Sequence, residues 1–277
     1  METVVKVLDQ RLNDMLVSGV AQEARFIGTG GVPYTVVPEE AKVSSLERFM
    51  AVPARKRAAV VVRDAASLIA YMGAHDEERT ATFAELEKLR IEAILDYHRA
   101  DAPGFGEHRV LLQLVERPEW TTWMGKNKRP MTQAEFAQFI EDNLPDIAEP
   151  QGATVLEIAR SLEARKKVNF LSSVRLRDGN REFTYEEQTE SSAAKGKLAV
   201  PETFTLGLQP FAGAEKYRIE ARLRYRISDD GKLTLWYDLV RPHLVLEAAF
   251  EDTVKLVASS TKSTILAGSV TVPPCGD

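Results

Sequence analysis

Arg218, Arg222, Arg224 and Arg226 share one parity of a strand-like stretch with Glu220, while Tyr217, Ile219, Ala221, Leu223, Tyr225 and Ile227 take the other. A row of guanidinium groups on one sheet face can hold phosphates. Trp236, on the next strand-like run, adds a surface on which a base can stack. The opposing reading is a solvated sheet face whose Asp238, Glu220 and Trp236 neutralise or cover the guanidinium groups. Three same-side arginines, Arg222, Arg224 and Arg226, are more than solubility requires, and they are the phosphate-binding candidates together with Trp236.

A second basic group follows two tryptophans. Glu119, Trp120 and Trp123 precede Lys126-Asn127-Lys128-Arg129, so Lys126, Lys128 and Arg129 are further phosphate-binding candidates. Tryptophan beside basic residues suits a single-strand-binding surface, but a large indole serves equally well as packing at the edge of a core. Asp96, His98 and His108 form the one carboxylate–histidine group. Two imidazoles and a carboxylate suit a divalent metal with an open position. They lack the further ligands and the acid–base partner of a hydrolytic site, which favours a structural role. Gly28, Gly30 and Gly31 do not connect a strand to a helix, so a phosphate loop is not expected. No serine or threonine sits in a nucleophile elbow.

Composition narrows the classes further. The 277 residues are 44% apolar and 28% charged, ordinary for a folded chain, with a formal net charge of −5. That balance argues against a dedicated duplex-DNA binder, though not against a local basic patch. The lone Cys275 allows neither an internal disulfide nor a cysteine zinc site. The first residues lead into an amphipathic pattern without the regions of a signal peptide, and no apolar run reaches membrane-spanning length. The expectation is a cytoplasmic protein with no membrane association and no cofactor.

The elements that must position these side chains come from period and caps. Val5, Leu8, Leu12 and Met15 predict a helix; Tyr34–Val37 is extended between Pro33 and Pro38. Ala59–Val62 reads as a short buried strand, and Asp64 as the cap of a helix carrying Leu68, Ile69 and Met72. Arg90–His98 and His108–Glu116 predict a hairpin across the loop Pro103-Gly104-Phe105-Gly106. Thr132-Gln133-Ala134-Glu135 is a capping box, with Met131 and Phe136 as a hydrophobic staple and Phe136, Phe139, Ile140 and Leu144 facing inward. Thr154-Val155-Leu156-Glu157 opens a second capped helix.

Beyond Lys167 the period alternates. A two-residue Asp178-Gly179 turn would set Val174 opposite Phe183 and Arg175 opposite Glu182. In the next hairpin, two- and four-residue loops place arginines opposite leucines. A three-residue loop, Asp229-Asp230-Gly231, instead pairs Arg224 with Trp236, Arg222 with Asp238 and Leu223 with Tyr237. Phe204, Leu206 and Leu208 mark a further strand, and Phe250, Val254 and Val257 a final helix from about Glu247 to Ser259. The expected fold is α+β: both hairpins in one antiparallel sheet, packed against capped amphipathic helices. Residues 1–130 form an N-terminal α/β region with the 90–116 hairpin. Residues 131–277 hold the capped helices, later hairpins and last helix, and the two are readable as one continuous domain.

The strings Ile94-Leu95-Asp96-Tyr97-His98, His108-Arg109, Trp120 with Trp123, and Phe136 through Asn143 resemble the YfdQ-like proteins of tailed phages and prophages. Asn169-Phe170, Phe183-Thr184-Tyr185-Glu186 and Tyr217 through Arg226 add to the resemblance, which spans about residue 60 to 258. It implies a phage early-region protein, with a domain of unknown function, acting in the cytoplasm of an infected bacterium. It supplies no reaction. The resulting expectation is a non-enzymatic homo-oligomer that binds single-stranded nucleic acid or nucleotides, in recombination or counter-defence. A host defence protein is a further candidate partner. The alternatives are a metal-dependent phosphohydrolase built on Asp96, His98 and His108, and a structural, shell-forming oligomer whose hairpins are assembly surfaces.

Overall fold

The computed structural model describes residues 50–75, 79–151, 154, 155, 157, 158, 161, 169–177, 180–189, 192–230 and 232–271. The expected 5–15 helix, the extended 34–37 segment, Gly28, Gly30, Gly31 and Cys275 lie outside these residues. The chain divides into two compact units, Met1–Lys56 and Arg57–Asp277. The described helices and strands all lie in the second, and so does the 130/131 boundary expected from the sequence.

Strand β1 (Ala58–Val62) leads to helix α1 (Ala65–His75), then β2 (Ala81–Glu85), β3 (Arg90–Ile94) and β4 (His108–Gln113). Next come α2 (Pro118–Lys126), the two-residue β5 (Met131–Thr132), α3 (Gln133–Asp142) and β6 (Ile147–Glu149). Strands β7 (Asn169–Arg175), β8 (Asn180–Thr189) and β9 (Ser192–Pro201) precede β10 (Thr203–Leu208), β11 (Tyr217–Ile227) and β12 (Leu233–Leu239). Helix α4 (Pro242–Thr261) and β13 (Ile265–Ala267) complete the described elements. Thr154, Val155, Glu157, Ile158 and Ser161, within the second expected capped helix, are helical. The fold is α+β.

The described strands make three sheets. The first has the order β1-β4-β3-β2-β13, the second β5-β12-β11-β10-β6, the third β7-β8-β9. The β3–β4 hairpin forms as expected, with strands trimmed to Ile94 and Gln113. Strand β1 is not fully buried: it lies at a sheet edge, parallel to β4, and Val61 is exposed. An edge strand has a neighbour on one side and α1 on one face, so its burial alternates.

Local chemistry explains the helix starts. Asp64 Oδ1 accepts from the Ser67 backbone N–H and Oδ2 from the Ser67 hydroxyl, each at 2.8 Å, and these bonds hold its carboxyl below the usual range. One turn apart on α1, Leu68 and Met72 are fully buried. At α3 the capping box is complete: Thr132 N donates to Glu135 Oε2 (2.8 Å) and Glu135 N to Thr132 Oγ1 (3.3 Å). Met131 and Phe136, the staple pair, are both buried.

The box has a pH signature. Hydrogen bonds from the Thr132 backbone and then its hydroxyl depress the Glu135 carboxyl. A depressed carboxyl contributes stability above its unfolded pKa and loses it as pH falls through the folded value. Urea midpoints of wild type and Glu135→Gln, followed from neutral pH to pH values below the ordinary glutamate range, are expected to converge as the wild type loses the carboxylate. A gap independent of pH would exclude a charged Glu135 in the cap. Thr132→Ala is expected to cost about 1 kcal/mol at neutral pH.

Two corrections concern the later strands. The two expected hairpins are in different sheets: β11 pairs with β10 and β12, whereas β7 and β8 form their own sheet with β9. The β7–β8 register also differs by one residue. Ser173 stands opposite Phe183, Val174 opposite Glu182 and Arg175 opposite Arg181, and Leu176 N bonds to Asn180 O at 2.8 Å. Asp178 and Gly179 of the expected turn lie outside the described residues. A one-residue slip exchanges faces, so Phe183 is fully buried while Val174 is exposed.

Two cores result. One joins the apolar face of the second sheet (Leu206, Ile219, Ala221, Leu235, Tyr237) to Trp120 and Trp123 of α2, Phe136 and Ile140 of α3, and Phe183 from the third sheet. The other joins Leu68 and Met72 to Ile91, Val110 and Leu112 of the first sheet and to Ala249, Phe250 and Val257 of α4. The C-terminal elements thus return to the first sheet, and β13 pairs parallel to β2. Helix α4 begins earlier than expected, at Pro242. Its Leu246 packs against both cores.

Candidate nucleic-acid interface

Strands β11 and β12 pair in the predicted register: Arg222 opposite Asp238, Leu223 opposite Tyr237, Arg224 opposite Trp236 and Tyr225 opposite Leu235. Ser228 N bonds to Lys232 O at 3.0 Å, and Gly231 of the expected loop lies outside the described residues. Burial alternates along both strands. Ile219, Ala221 and Leu223 enter the core, while the arginines stay on the open face.

The arginines differ in their partners. Arg218 Nη2 is 2.6 Å from Glu149 Oε2, and Arg222 Nε donates to Glu220 Oε1 at 2.9 Å. Arg224 Nε reaches diagonally to Asp238 Oδ2 at 3.0 Å, past the half-buried Trp236 directly opposite. Arg226 is exposed and has no ion-pair partner among the described residues. Part of the strip is therefore neutralised within its own sheet, and such exposed pairs contribute little stability.

The basic turn joins this sheet. Lys128 N donates to Tyr237 O at 2.9 Å, and Leu239 N donates to the Asn127 side-chain oxygen at 3.0 Å. Strand β5 then continues along β12, with Met131 opposite Leu235. Lys126, Lys128 and Arg129 are exposed, and Lys128 takes a left-handed backbone (φ 61°) at the turn. The turn that carries Lys128 and Arg129 is thus hydrogen-bonded to β12, whose other neighbour is the arginine-bearing β11.

Trp120 and Trp123 are not available for stacking, being 2% and 0% exposed. Trp123 Nε1 donates to Asp146 Oδ2 at 2.8 Å, and the Tyr237 hydroxyl donates to the Trp123 carbonyl at 2.7 Å. Burial raises the Asp146 carboxyl above its ordinary range, against the opposing pull of the Trp123 bond. The packing reading of Trp120 and Trp123 is the one observed.

Asp96, His98 and His108 serve separate backbone and side-chain partners. Asp96 Oδ1 accepts from His108 N (2.9 Å) and Oδ2 from Glu107 N (3.1 Å), which ties the two ends of the β3–β4 connection together. His98 Nδ1 accepts from Gly104 N at 3.0 Å. The buried His108 ring turns towards α1, where its Nε2 is hydrogen-bonded to the Tyr71 hydroxyl at 2.9 Å. Among the described residues, no three histidine, cysteine or acidic side chains converge on a point that could hold a metal.

A further set of residues escaped the sequence reading. Arg175 Nε lies 2.6 Å from Glu202 Oε2, and Arg181 Nη2 donates to Glu202 Oε1 at 3.2 Å. With Thr203, Glu220, Arg222 and Arg224, Arg175 and Glu202 line a cleft of about 400 Å³. The sequence signal was misread, because Arg175 was paired with Glu182 across the hairpin.

The match to the family described as "Uncharacterized conserved protein (DUF2303)" spans residues 11–270. The chain belongs to this family. The DUF2303 match takes in every candidate residue from Asp96 to Trp236 and both cores. No curated protein and no solved structure matches the chain. No described helix is long and apolar enough to cross a membrane.

Proposed function

We propose that this DUF2303 protein is a non-enzymatic, self-associating protein that binds single-stranded nucleic acid or nucleotides on the open face of β11 and β12. Its setting, in keeping with the YfdQ-like resemblance, is the cytoplasm of a phage-infected bacterium, in recombination or counter-defence. The observation that carries the reading is the concentration of charge on one sheet. Arg222, Arg224 and Arg226 lie on β11, and Lys126, Lys128 and Arg129 at the end of α2 and in the turn hydrogen-bonded to β12, in a chain of net charge −5. Of these, only Arg222 and Arg224 are in ion pairs among the described residues. Trp236 supplies a half-buried indole among them. Guanidinium groups track phosphates and an indole face accepts any base, a combination suited to single strands without sequence preference.

The test is binding of a labelled single-stranded oligonucleotide over a salt series. Affinity is expected to fall steeply with salt, because each neutralised phosphate releases condensed counterions. Arg224→Ala is expected to weaken binding more than Arg218→Ala. Trp236→Ala is expected to lose about 1–3 kcal/mol with the salt slope unchanged, since no charge is removed. Analytical ultracentrifugation of each variant without nucleic acid reads self-association, and a changed sedimentation coefficient for Arg224→Ala would move the face to an assembly role. Absence of binding at low salt, with unaltered sedimentation, returns the strip to a solvated face.

A further inference from the structure

The cleft beside the arginine strip lies where two sheets meet. Arg175 ends β7 in the third sheet, Thr203 opens β10 in the second, and Arg222 stands opposite Thr203 on β11. Glu202 sits at the junction. Its carbonyl accepts from Leu223 N at 2.8 Å, and its carboxylate is shared between Arg175 and Arg181. Around the cleft the guanidinium groups of Arg175, Arg181, Arg222 and Arg224 are met by the carboxylates of Glu202, Glu220 and Asp238. In these described pairs four guanidinium groups meet three carboxylates, and an anion entering between Arg175, Arg222 and Arg224 would complete the balance.

Glu202 and Thr203 also line a second groove of about 580 Å³, whose other walls include Pro150, Glu157, Ile158, Asn180 and Pro201. The arginine-lined cleft and a groove with apolar as well as polar walls thus meet at a shared carboxylate and hydroxyl. That sequence of groups matches a sugar phosphate bearing a base: phosphate on the fork-shaped donors of arginine, hydroxyls on Glu202 and Thr203, base against the prolines. We infer that this cleft takes the terminal phosphate of a nucleotide, supplied either by a free nucleoside monophosphate or by the phosphorylated end of a strand. The inference rests on the nucleic-acid reading above and adds to it a place for a chain end.

The full-length protein is titrated with adenosine monophosphate and with adenosine, and separately with a short oligothymidylate carrying either a phosphate or a hydroxyl at its 5′ end. At least one phosphorylated probe is expected to bind roughly tenfold more tightly than its unphosphorylated counterpart, the usual scale for a charge-assisted contact. Preference for the monophosphate alone identifies a free nucleotide, and preference for the phosphorylated strand identifies a strand end. Arg175→Ala is expected to erase the preference while leaving the salt slope of the hydroxyl-ended strand intact, because Arg175 is not on the β11–β12 face. Its side chain is 68% exposed, so the fold should tolerate the change, and Arg175→Lys is expected to restore part of the preference. Arg226→Ala is expected to do the converse, weakening the hydroxyl-ended strand and sparing the preference. Equal affinity for phosphorylated and unphosphorylated probes in the wild type, or a preference untouched by Arg175→Ala, overturns the inference. Failure of the open-face reading is distinguishable, since there the hydroxyl-ended strand does not bind at all.

Discussion

Trp123→Ala is expected to cost about 3–5 kcal/mol of folding free energy, the range for removing a fully buried large aromatic. The indole is 0% exposed and lies 4.9 Å from the Phe139 ring, 5.2 Å from Tyr237 and 6.0 Å from Phe204, centroid to centroid. It therefore ties α2 to α3, β10 and β12 at once, and no flanking side chain can fill the space without leaving its own contacts. The substitution also strips the Asp146 carboxylate of its Trp123 donor. Trp123→Phe separates the two effects by keeping most of the volume and losing the hydrogen bond.

In Trp123→Phe the Asp146 carboxyl should rise further, since the bond opposing the effect of burial is gone. A carboxyl whose folded pKa is raised binds more protons when folded, so stability increases as pH falls through the folded value towards the unfolded one. The Trp123→Phe deficit is therefore expected to shrink on mild acidification because the variant gains stability, whereas the Glu135→Gln gap closes because the wild type loses it. Urea unfolding followed by circular dichroism at several pH values measures both. A loss under about 1 kcal/mol for Trp123→Ala would mean that the four elements do not share one core. Because α2 leads directly into the Lys126–Arg129 turn, the same variant is also expected to weaken strand binding.

Gly104→Ala is the second large effect, in the connection between β3 and β4. A Cβ at position 104 would overlap the backbone carbonyls of Asp96 and Tyr97. Backbone atoms cannot swing aside as a side chain can, so the cost is expected towards the upper end of about 1–3 kcal/mol. The close approach is what lets Gly104 N donate to His98 Nδ1 and Gly106 N to Asp96 O. His98→Ala, which removes one exposed partner and creates no overlap, is expected to cost about 1 kcal/mol or less. Hydrogen exchange at the amides of Gly104 and His108 gives the local reading. Unchanged protection in Gly104→Ala would show that the loop does not need this approach. A metal role for His98 predicts the reverse ranking, with His98→Ala abolishing stoichiometric metal and Gly104→Ala sparing it.

What could be read from sequence was local or over-determined. The Thr132–Glu135 box needs only residues three apart, as does the Asp64 cap on Ser67. The β11–β12 register was legible because two of the three short loops set arginines against leucines, so the chemistry of both faces selected one pairing. The β7–β8 register was not legible. Serine, threonine, valine and charged residues made acceptable pairs in either of two registers, and the choice depended on burying Phe183 edge-on to Tyr225, in another sheet, at 4.9 Å between ring centroids.

The site divides in the same way. Sequence alone determined that arginines line one face of β11, because alternation along a strand dictates it. Tertiary structure decided which of them have partners: Arg224 reached past Trp236 to Asp238, and Arg175 left its own hairpin for Glu202. Only the tertiary fold joined the Lys126–Arg129 turn and β5 to β12, the neighbour of the arginine strand, and only the return of α4 and β13 completed the first sheet and its core. The physical reason is that these contacts join segments far apart in the chain. Their register is set by which apolar faces are left to bury once the local elements exist, and no spacing within a single segment records it.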